Sequence, residues 1–127
     1  VFMMTKLKKF VSVLKPKKFN EGTEHWLNQR ISSILLIPFT VLFIYNFSQN
    51  IGLDYEKNII FYKSPIRAAL TFLFISVTLL HFKQGAQVVI EDYIHDHVIN
   101  RVFLKINNTF FWGINFILLC AFVSIVL

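Results

Sequence analysis

A histidine, His81, lies inside a long apolar stretch of the chain. Ionisable side chains are costly at membrane depth, so such a residue is by default a candidate functional residue. Neutral imidazole is the commonest metal ligand in proteins, and haem iron is among the metals it binds. Gly85 lies one helical turn further on the same face and leaves room for a flat macrocycle against the backbone. Two interpretations remain open from these residues: haem ligation, or a core histidine bonded to a carbonyl of a neighbouring helix.

Tyr93 follows His81 by twelve positions, which is roughly 18 Å along a helix. If His81 is near mid-bilayer, Tyr93 emerges at the inner interface, where its phenol can donate a hydrogen bond to a carbonyl. The neighbouring Asp92 can orient groups or relay protons. This pair suits a quinone head group. The alternative is an interfacial aromatic anchor beside a capping carboxylate.

Arg30 opens the first apolar stretch on the same side of the membrane. Its guanidinium can pair with haem propionates or with the negative charge of a semiquinone, or it can simply snorkel to the interface. Ser32 and Ser33 follow and are interpreted as small polar residues that let helices pack closely.

Two histidines flank Asp96 in a polar segment, at positions 95 and 97. Three consecutive residues make a poor tetrahedral clamp for zinc, so a solvated loop is the better interpretation. Cys120 lies in the third apolar stretch and is expected to be a small buried hydrophobe.

The elements that carry these residues are predicted to be membrane helices. The chain has 127 residues, of which 55% are hydrophobic, and its mean hydropathy is +0.57. A spanning helix needs roughly 20 mostly apolar residues. The prediction is an all-α integral membrane protein, a single domain over 1–127 with a basic N-terminal arm at 1–24, irregular or lying along the membrane surface. Its spans are placed at about 31–49, 66–90 and 108–127. Gly52 is the predicted turn of the first loop, Ser64 and Pro65 are predicted to open the second helix, and Asn107, Asn108 and Thr109 the third.

The second span contains polar residues that lipid cannot accommodate. The apolar stretch from 68 to 80 is too short to cross a bilayer, so the helix must continue through Lys83, Gln84 and Gln87. These side chains should face protein, a cofactor or the interface. Three helices can hardly bury them all, so partner helices from another chain are expected. A bis-histidine haem would also need its second ligand from that partner, because only one histidine lies at membrane depth.

The charge distribution predicts the orientation of the chain. The net charge is +6, and seven basic residues precede the first span: Lys6, Lys8, Lys9, Lys15, Lys17, Lys18 and Arg30. By the positive-inside rule, the N-terminus and the second loop face the cytoplasm or matrix, and the C-terminus the periplasm or intermembrane space. The lysines are interpreted as contacts to lipid headgroups rather than to nucleic acid.

The segment His81-x-x-x-Gly85-x-Gln87-Val88-x-x-Glu91-Asp92-Tyr93 resembles the second helix of a known family. That family is the small cytochrome b membrane-anchor subunit of succinate dehydrogenase (respiratory complex II), in particular the alphaproteobacterial and mitochondrial subunit lettered D. The segment His25-Trp26-x-x-Gln29-Arg30-x-Ser32 resembles the start of its first span. The resemblance covers roughly residues 22–127.

The resemblance implies that His81 is an axial ligand of haem b and that a sister anchor subunit supplies the other. Tyr93 and Asp92 would help form the ubiquinone site, and Arg30 and His25 would contact haem propionates or the quinone pocket. Further partners would be an iron–sulfur subunit and a flavoprotein subunit, in a bacterial or mitochondrial inner membrane. The isolated chain would carry no activity and no catalytic residue of its own.

Two other functions remain open from the sequence. One is a non-redox accessory subunit of another respiratory membrane complex, with His81 as a packing residue. The other is a small transporter component in which His81, Lys83 and Gln84 line a polar path. Lys83 is also a departure from the family pattern, because that part of the helix usually carries less charge.

Overall fold

The computed structural model describes residues 1–14 and 21–127, and every regular element in those ranges is a helix. The predicted all-α fold is therefore confirmed. The helices are α1 (Phe2–Leu14), α2 (Glu21–Ser48), α3 (Tyr55–Tyr62), α4 (Pro65–Tyr93) and α5 (His97–Val126).

Three of these helices are long and apolar enough to cross a membrane, as predicted. The candidate spans are Thr23–Ser48, Pro65–Tyr93 and His97–Val126, of 26, 29 and 30 residues. At a rise of about 1.5 Å per residue, the second and third measure roughly 45 Å, against about 30 Å for the hydrocarbon core of a bilayer. Each therefore tilts or extends into the headgroup region.

The three long helices form an antiparallel layer with α4 in the middle. Phe43 of α2 stacks on Phe74 of α4 with ring centroids 4.3 Å apart, and Phe72 of α4 meets Phe122 of α5 edge to face. Within the described ranges, α2 and α5 each contact α4 and do not contact each other. The helix that carries His81 is thus flanked on two sides and open on the others.

The start of α5 differs from the prediction. Asp96 caps this helix, because its carboxylate accepts hydrogen bonds from the Val98 and Ile99 amides at 2.9 and 3.0 Å. The predicted opening at Asn107 is wrong, since this residue lies inside the helix and its side-chain amide donates to the Lys83 carbonyl at 3.0 Å. The prediction failed because cap-type residues also serve as contacts between helices.

The N-terminal arm also differs from an irregular segment in the part that the structure describes. Residues Phe2–Leu14 form a helix, while the lysines at positions 15, 17 and 18 lie outside the described residues. Whether α1 lies along a membrane surface stays a prediction.

The connection between the first and second spans contains a short helix and a glycine turn. Gly52 has a φ of +84°, a conformation that favours glycine, and Asp54 caps α3. Ser64 and Pro65 begin α4 as predicted, although the Ser64 side chain makes no capping hydrogen bond.

Little of this layer is buried within the chain. Among the described residues, Ala68 is the one buried hydrophobic side chain, whereas Ser32, Asn46, Asn50 and Thr71 are buried polar ones. The apolar faces of the helices must therefore be covered by lipid or by other polypeptides.

Candidate functional site

The site begins with a hydrogen-bonded cluster between α2 and α4. The Nδ1 atom of His81 lies 2.9 Å from the hydroxyl oxygen of Ser32. The same oxygen lies 2.7 Å from Oε1 of Gln84 and 2.9 Å from the Gln29 carbonyl. Ser32 is 2% exposed, so helix packing fixes this cluster away from solvent. His81 itself is half-buried, and Nδ1 is the ring nitrogen that already has a hydrogen-bond partner within the chain.

Two open cavities meet at His81. One, of about 360 Å³, is lined on the α2 side by Trp26, Gln29, Arg30 and Ser33. The other, of about 510 Å³, runs along α4 and is lined by apolar residues and a glycine: Phe82, Gly85, Ala86, Val89 and Ile90. The imidazole therefore stands between a cationic, polar recess and an apolar groove.

The guanidinium of Arg30 is available to a group outside the chain. Its central carbon lies 5.1 Å from the centre of the Trp26 ring, and it forms no ion pair with an acidic residue in the described ranges. A cation over an aromatic face is held in place while it keeps its hydrogen-bond donors free. Arg30 can thus bind a carboxylate or another anionic group in the recess beside His81.

Gly85 is not required by packing within the chain. A Cβ built at this position meets no atom within 4 Å. The glycine lines the apolar groove next to His81, where a flat ligand could approach the helix backbone closely.

His25 does not line the recess that contains Arg30. Its Nε2 lies 3.4 Å from the side-chain amide nitrogen of Gln87 on α4. Gln87 also donates to Glu91 at 3.0 Å. His25 therefore belongs to a second polar group, nearer to the end of α4 that carries Asp92 and Tyr93.

Asp92 and Tyr93 lie in the last turn of α4 and are exposed. The Tyr93 side chain is 80% exposed, and twelve residues of helix, about 18 Å, separate it from His81. The structure does not bring Tyr93 and His81 together, and the described part of the chain leaves the Tyr93 side chain largely uncovered.

The other ionisable candidates have local roles. Asp96 caps α5, as described above, and no group of three or more histidine, cysteine or acidic residues in the described ranges is arranged to hold a metal ion. Cys120 is exposed on α5 rather than buried in the chain. The prediction of a small buried hydrophobe is therefore not met within this chain alone.

Lys83 is accommodated between two helices. Its ammonium lies 5.0 Å from the centre of the Phe111 ring, and its carbonyl accepts the hydrogen bond from Asn107. The aromatic face offers this charge a favourable partner at the α4–α5 contact.

Sequence reasoning missed the pairing of Ser32 and Gln84 with His81. The sequence interpretation gave Ser32 a role in helix packing, and it expected Gln84 to face protein, a cofactor or the interface without naming a partner. The available signal was that all three polar residues occur inside apolar stretches, where each needs a partner.

Comparisons with known proteins identify the family. A sequence model described as the succinate dehydrogenase/fumarate reductase transmembrane subunit matches residues 4–121. The chain belongs to this family. The match confirms the resemblance to a succinate dehydrogenase membrane anchor, whereas the assignment to the subunit lettered D stays a prediction.

Several relatives of this anchor family are similar along much of the chain. The succinate dehydrogenase hydrophobic membrane anchor subunit of Rickettsia felis is 32% identical over 96 residues, which cover 74% of this chain and 78% of the relative. That of Paracoccus denitrificans is 34% identical over 74 residues, 58% of this chain and 57% of the relative. The succinate dehydrogenase membrane anchor subunit of Reclinomonas americana is 31% identical over 77 residues, 58% of this chain and 64% of the relative. No solved structure matches the chain.

Proposed function

We propose that the chain is an anchor subunit of a succinate:ubiquinone oxidoreductase, in which His81 is one axial ligand of a haem b shared with a sister anchor subunit. The observation that carries this proposal is the position of the imidazole. Its Nδ1 is bonded to Ser32, and the ring lies where the cationic recess meets the apolar groove.

The residues around His81 fit the chemistry of haem. The macrocycle is flat and apolar, and the groove beside Gly85 is apolar with open space above the glycine. Propionates are anionic, and Arg30 is a cation without an acidic partner in the described part of the chain. Bound haem would supply one-electron redox chemistry, while this chain supplies ligation, orientation and charge.

The same proposal places part of a quinone site at the end of α4. The Tyr93 phenol would donate a hydrogen bond to a quinone carbonyl, and the Asp92 carboxylate would orient that phenol or relay a proton. Because the Tyr93 side chain is exposed in the described part of the chain, the iron–sulfur subunit and the sister anchor would complete the quinone pocket. Arg30 and His25 would contribute charge and hydrogen bonds between the two sites.

The orientation and location belong to the proposal as well. The basic residues before α2 would place the N-terminus on the cytoplasmic or matrix side, and the C-terminus on the opposite side. The membrane would be a bacterial or mitochondrial inner membrane. A flavoprotein subunit would oxidise succinate and pass electrons through the iron–sulfur subunit.

The cluster at His81 argues against the transporter alternative. His81 and Gln84 both hydrogen-bond to Ser32 between two packed helices, and Lys83 points to the other contact, against Phe111 of α5. The family match argues against the other alternative, a non-redox accessory subunit of another respiratory membrane complex, which predicts a colourless assembly.

The decisive experiment is replacement of His81 in the assembled complex. His81→Leu should abolish or shift the low-spin haem spectrum of the gently solubilised, dithionite-reduced complex, because an axial ligand is lost. His95→Leu is the matched control, since this histidine is exposed in the connection between α4 and α5. An unchanged spectrum in His81→Leu would remove this residue from the ligand set.

The quinone assignment has a separate test. Tyr93→Phe removes only the phenolic hydroxyl. Reduction of ubiquinone by succinate should therefore fall by about 100-fold to 1000-fold, the usual cost of removing one hydrogen-bond donor to the transition state. Succinate oxidation with artificial acceptors should persist. Tyr55→Phe, at an exposed tyrosine that begins α3, should change neither activity. Parallel loss of both activities in Tyr93→Phe would indicate failed assembly instead.

A further inference from the structure

We propose that Ser32 is a positioning residue for His81: it holds the imidazole in the form that carries its proton on Nδ1, and so leaves Nε2 as the nitrogen that binds iron. This inference rests on the proposed function, because it specifies how the chain prepares the ligand. The hydroxyl belongs to α2 and the imidazole to α4, 49 positions apart in sequence.

The Ser32 hydroxyl has more acceptors around it than protons to donate. A serine hydroxyl has one hydrogen to donate and two lone pairs that accept. Three atoms lie within hydrogen-bond distance of its oxygen, and two of them, Gln84 Oε1 at 2.7 Å and the Gln29 carbonyl at 2.9 Å, are acceptors only. When the hydroxyl proton goes to either acceptor, the oxygen presents a lone pair to His81.

The lone pair on Ser32 determines which nitrogen of the His81 imidazole carries the proton. A lone pair on Ser32 makes a hydrogen bond at 2.9 Å only if Nδ1 of His81 carries a proton. In neutral imidazole the proton on one nitrogen leaves a lone pair on the other. If the Gln84 amide is turned the other way, the Gln29 carbonyl is the remaining acceptor beside the hydroxyl, and His81 keeps the same form when the hydroxyl donates to that carbonyl.

A hydrogen bond from Nδ1–H to Ser32 would orient His81 as a metal ligand. Histidines that bind metals commonly donate their second ring N–H to an oxygen, which fixes the ring orientation and makes the ligand more basic. Ser32 offers such an oxygen, and at 2% exposure no bulk water competes for it. The adjacent Ser33 is different, because its hydroxyl donates at 2.8 Å to the Gln29 carbonyl of its own helix and, within the described ranges, makes no hydrogen bond to α4.

The test compares two substitutions of nearly equal size, Ser32→Thr and Ser32→Val, in the assembled complex. Threonine keeps the hydroxyl and valine lacks it. Without an acceptor for Nδ1–H, the imidazole becomes a weaker donor to iron, which favours the ferrous state. Ser32→Val should therefore raise the haem midpoint potential, alter the low-spin electron paramagnetic resonance signal and weaken haem retention by about 10-fold to 100-fold. Ser32→Thr should keep the wild-type values.

The control is Ser48→Ala, at the other end of α2. This hydroxyl is exposed and donates only to the Tyr45 carbonyl of its own helix, so potential and spectrum should not change. Equal potentials and spectra in the Thr and Val variants would overturn the role of the hydroxyl. Failure of both variants to assemble would also overturn it, because side-chain volume at position 32, and not the hydroxyl, would then determine the state of the site. Absence of a low-spin haem from the wild-type complex would overturn the proposed function itself.

Discussion

Gly85 lowers the intrinsic stability of α4, because glycine inside a helix is less favourable than alanine by roughly 0.5–1 kcal/mol. The space above it within the chain is open, so packing against α2 or α5 does not explain the residue. A ligand or a partner that approaches the backbone would explain it, and the neighbouring imidazole favours the proposed haem.

Substitution of Gly85 tests whether a bound haem occupies the open space beside this residue. Gly85→Leu should lower the haem content of the complex, because the side chain would occupy the groove beside His81. Gly113→Leu is the control, since a Cβ at Gly113 on α5 also meets nothing within 4 Å and this glycine does not line either cavity at His81. Normal haem content in Gly85→Leu would show that the macrocycle does not lie over this turn.

At the same scale, the sequence predicted which residues are chemically notable but not which of them meet. His81, Gly85 and Arg30 were selected because of their types and positions, and they line two adjoining cavities. The bond between Ser32 and His81 depends on the register of two helices 49 positions apart. No local pattern encodes that register, so only the folded chain reveals it.

At the scale of the helix, local signals were read correctly where they had a single meaning. Ser64 and Pro65 start α4, and Gly52 forms the turn. The start of α5 was misplaced because Asn107, Asn108 and Thr109 are residue types that often begin helices, although they lie inside this one.

The cap of α5 can be tested directly. Asp96→Ala should destabilise the first turn of α5 by about 1 kcal/mol, because two amide hydrogen bonds lose their acceptor. Asp96→Asn keeps a capping oxygen and should stay close to wild type. Hydrogen exchange at the Val98 and Ile99 amides in the assembled complex measures the difference. Similar exchange rates in the two variants would contradict the capping role.

At the scale of the whole molecule, the long helices form a layer rather than a closed bundle. In the most apolar 18-residue stretch of each span, buried residues make up 11%, 11% and 0%. Nearly all of the surface of the spans is therefore left to lipid or to other subunits. For an anchor of the succinate dehydrogenase family, this exposure fits a chain that completes its fold by assembly.

The orientation of the layer has its own test. In a Cys120→Ser background, Glu56→Cys and His95→Cys place one thiol at each end of the spans, near α3 and between α4 and α5. A membrane-impermeant maleimide should label Glu56→Cys in intact cells, and His95→Cys only after the membrane is opened. The opposite pattern would reverse the proposed orientation.

The bond between Ser32 and His81 also bears on how such a molecule is made. Because the imidazole already has a polar neighbour within its own polypeptide, its place in the membrane does not depend on a bound group. Under the proposed function, a newly inserted chain would therefore reside in the bilayer before iron-porphyrin or sister chain arrives. Biogenesis would then have a stable waiting stage, in which the unfinished subunit is prepared for its prosthetic group but does not depend on it to remain in the membrane.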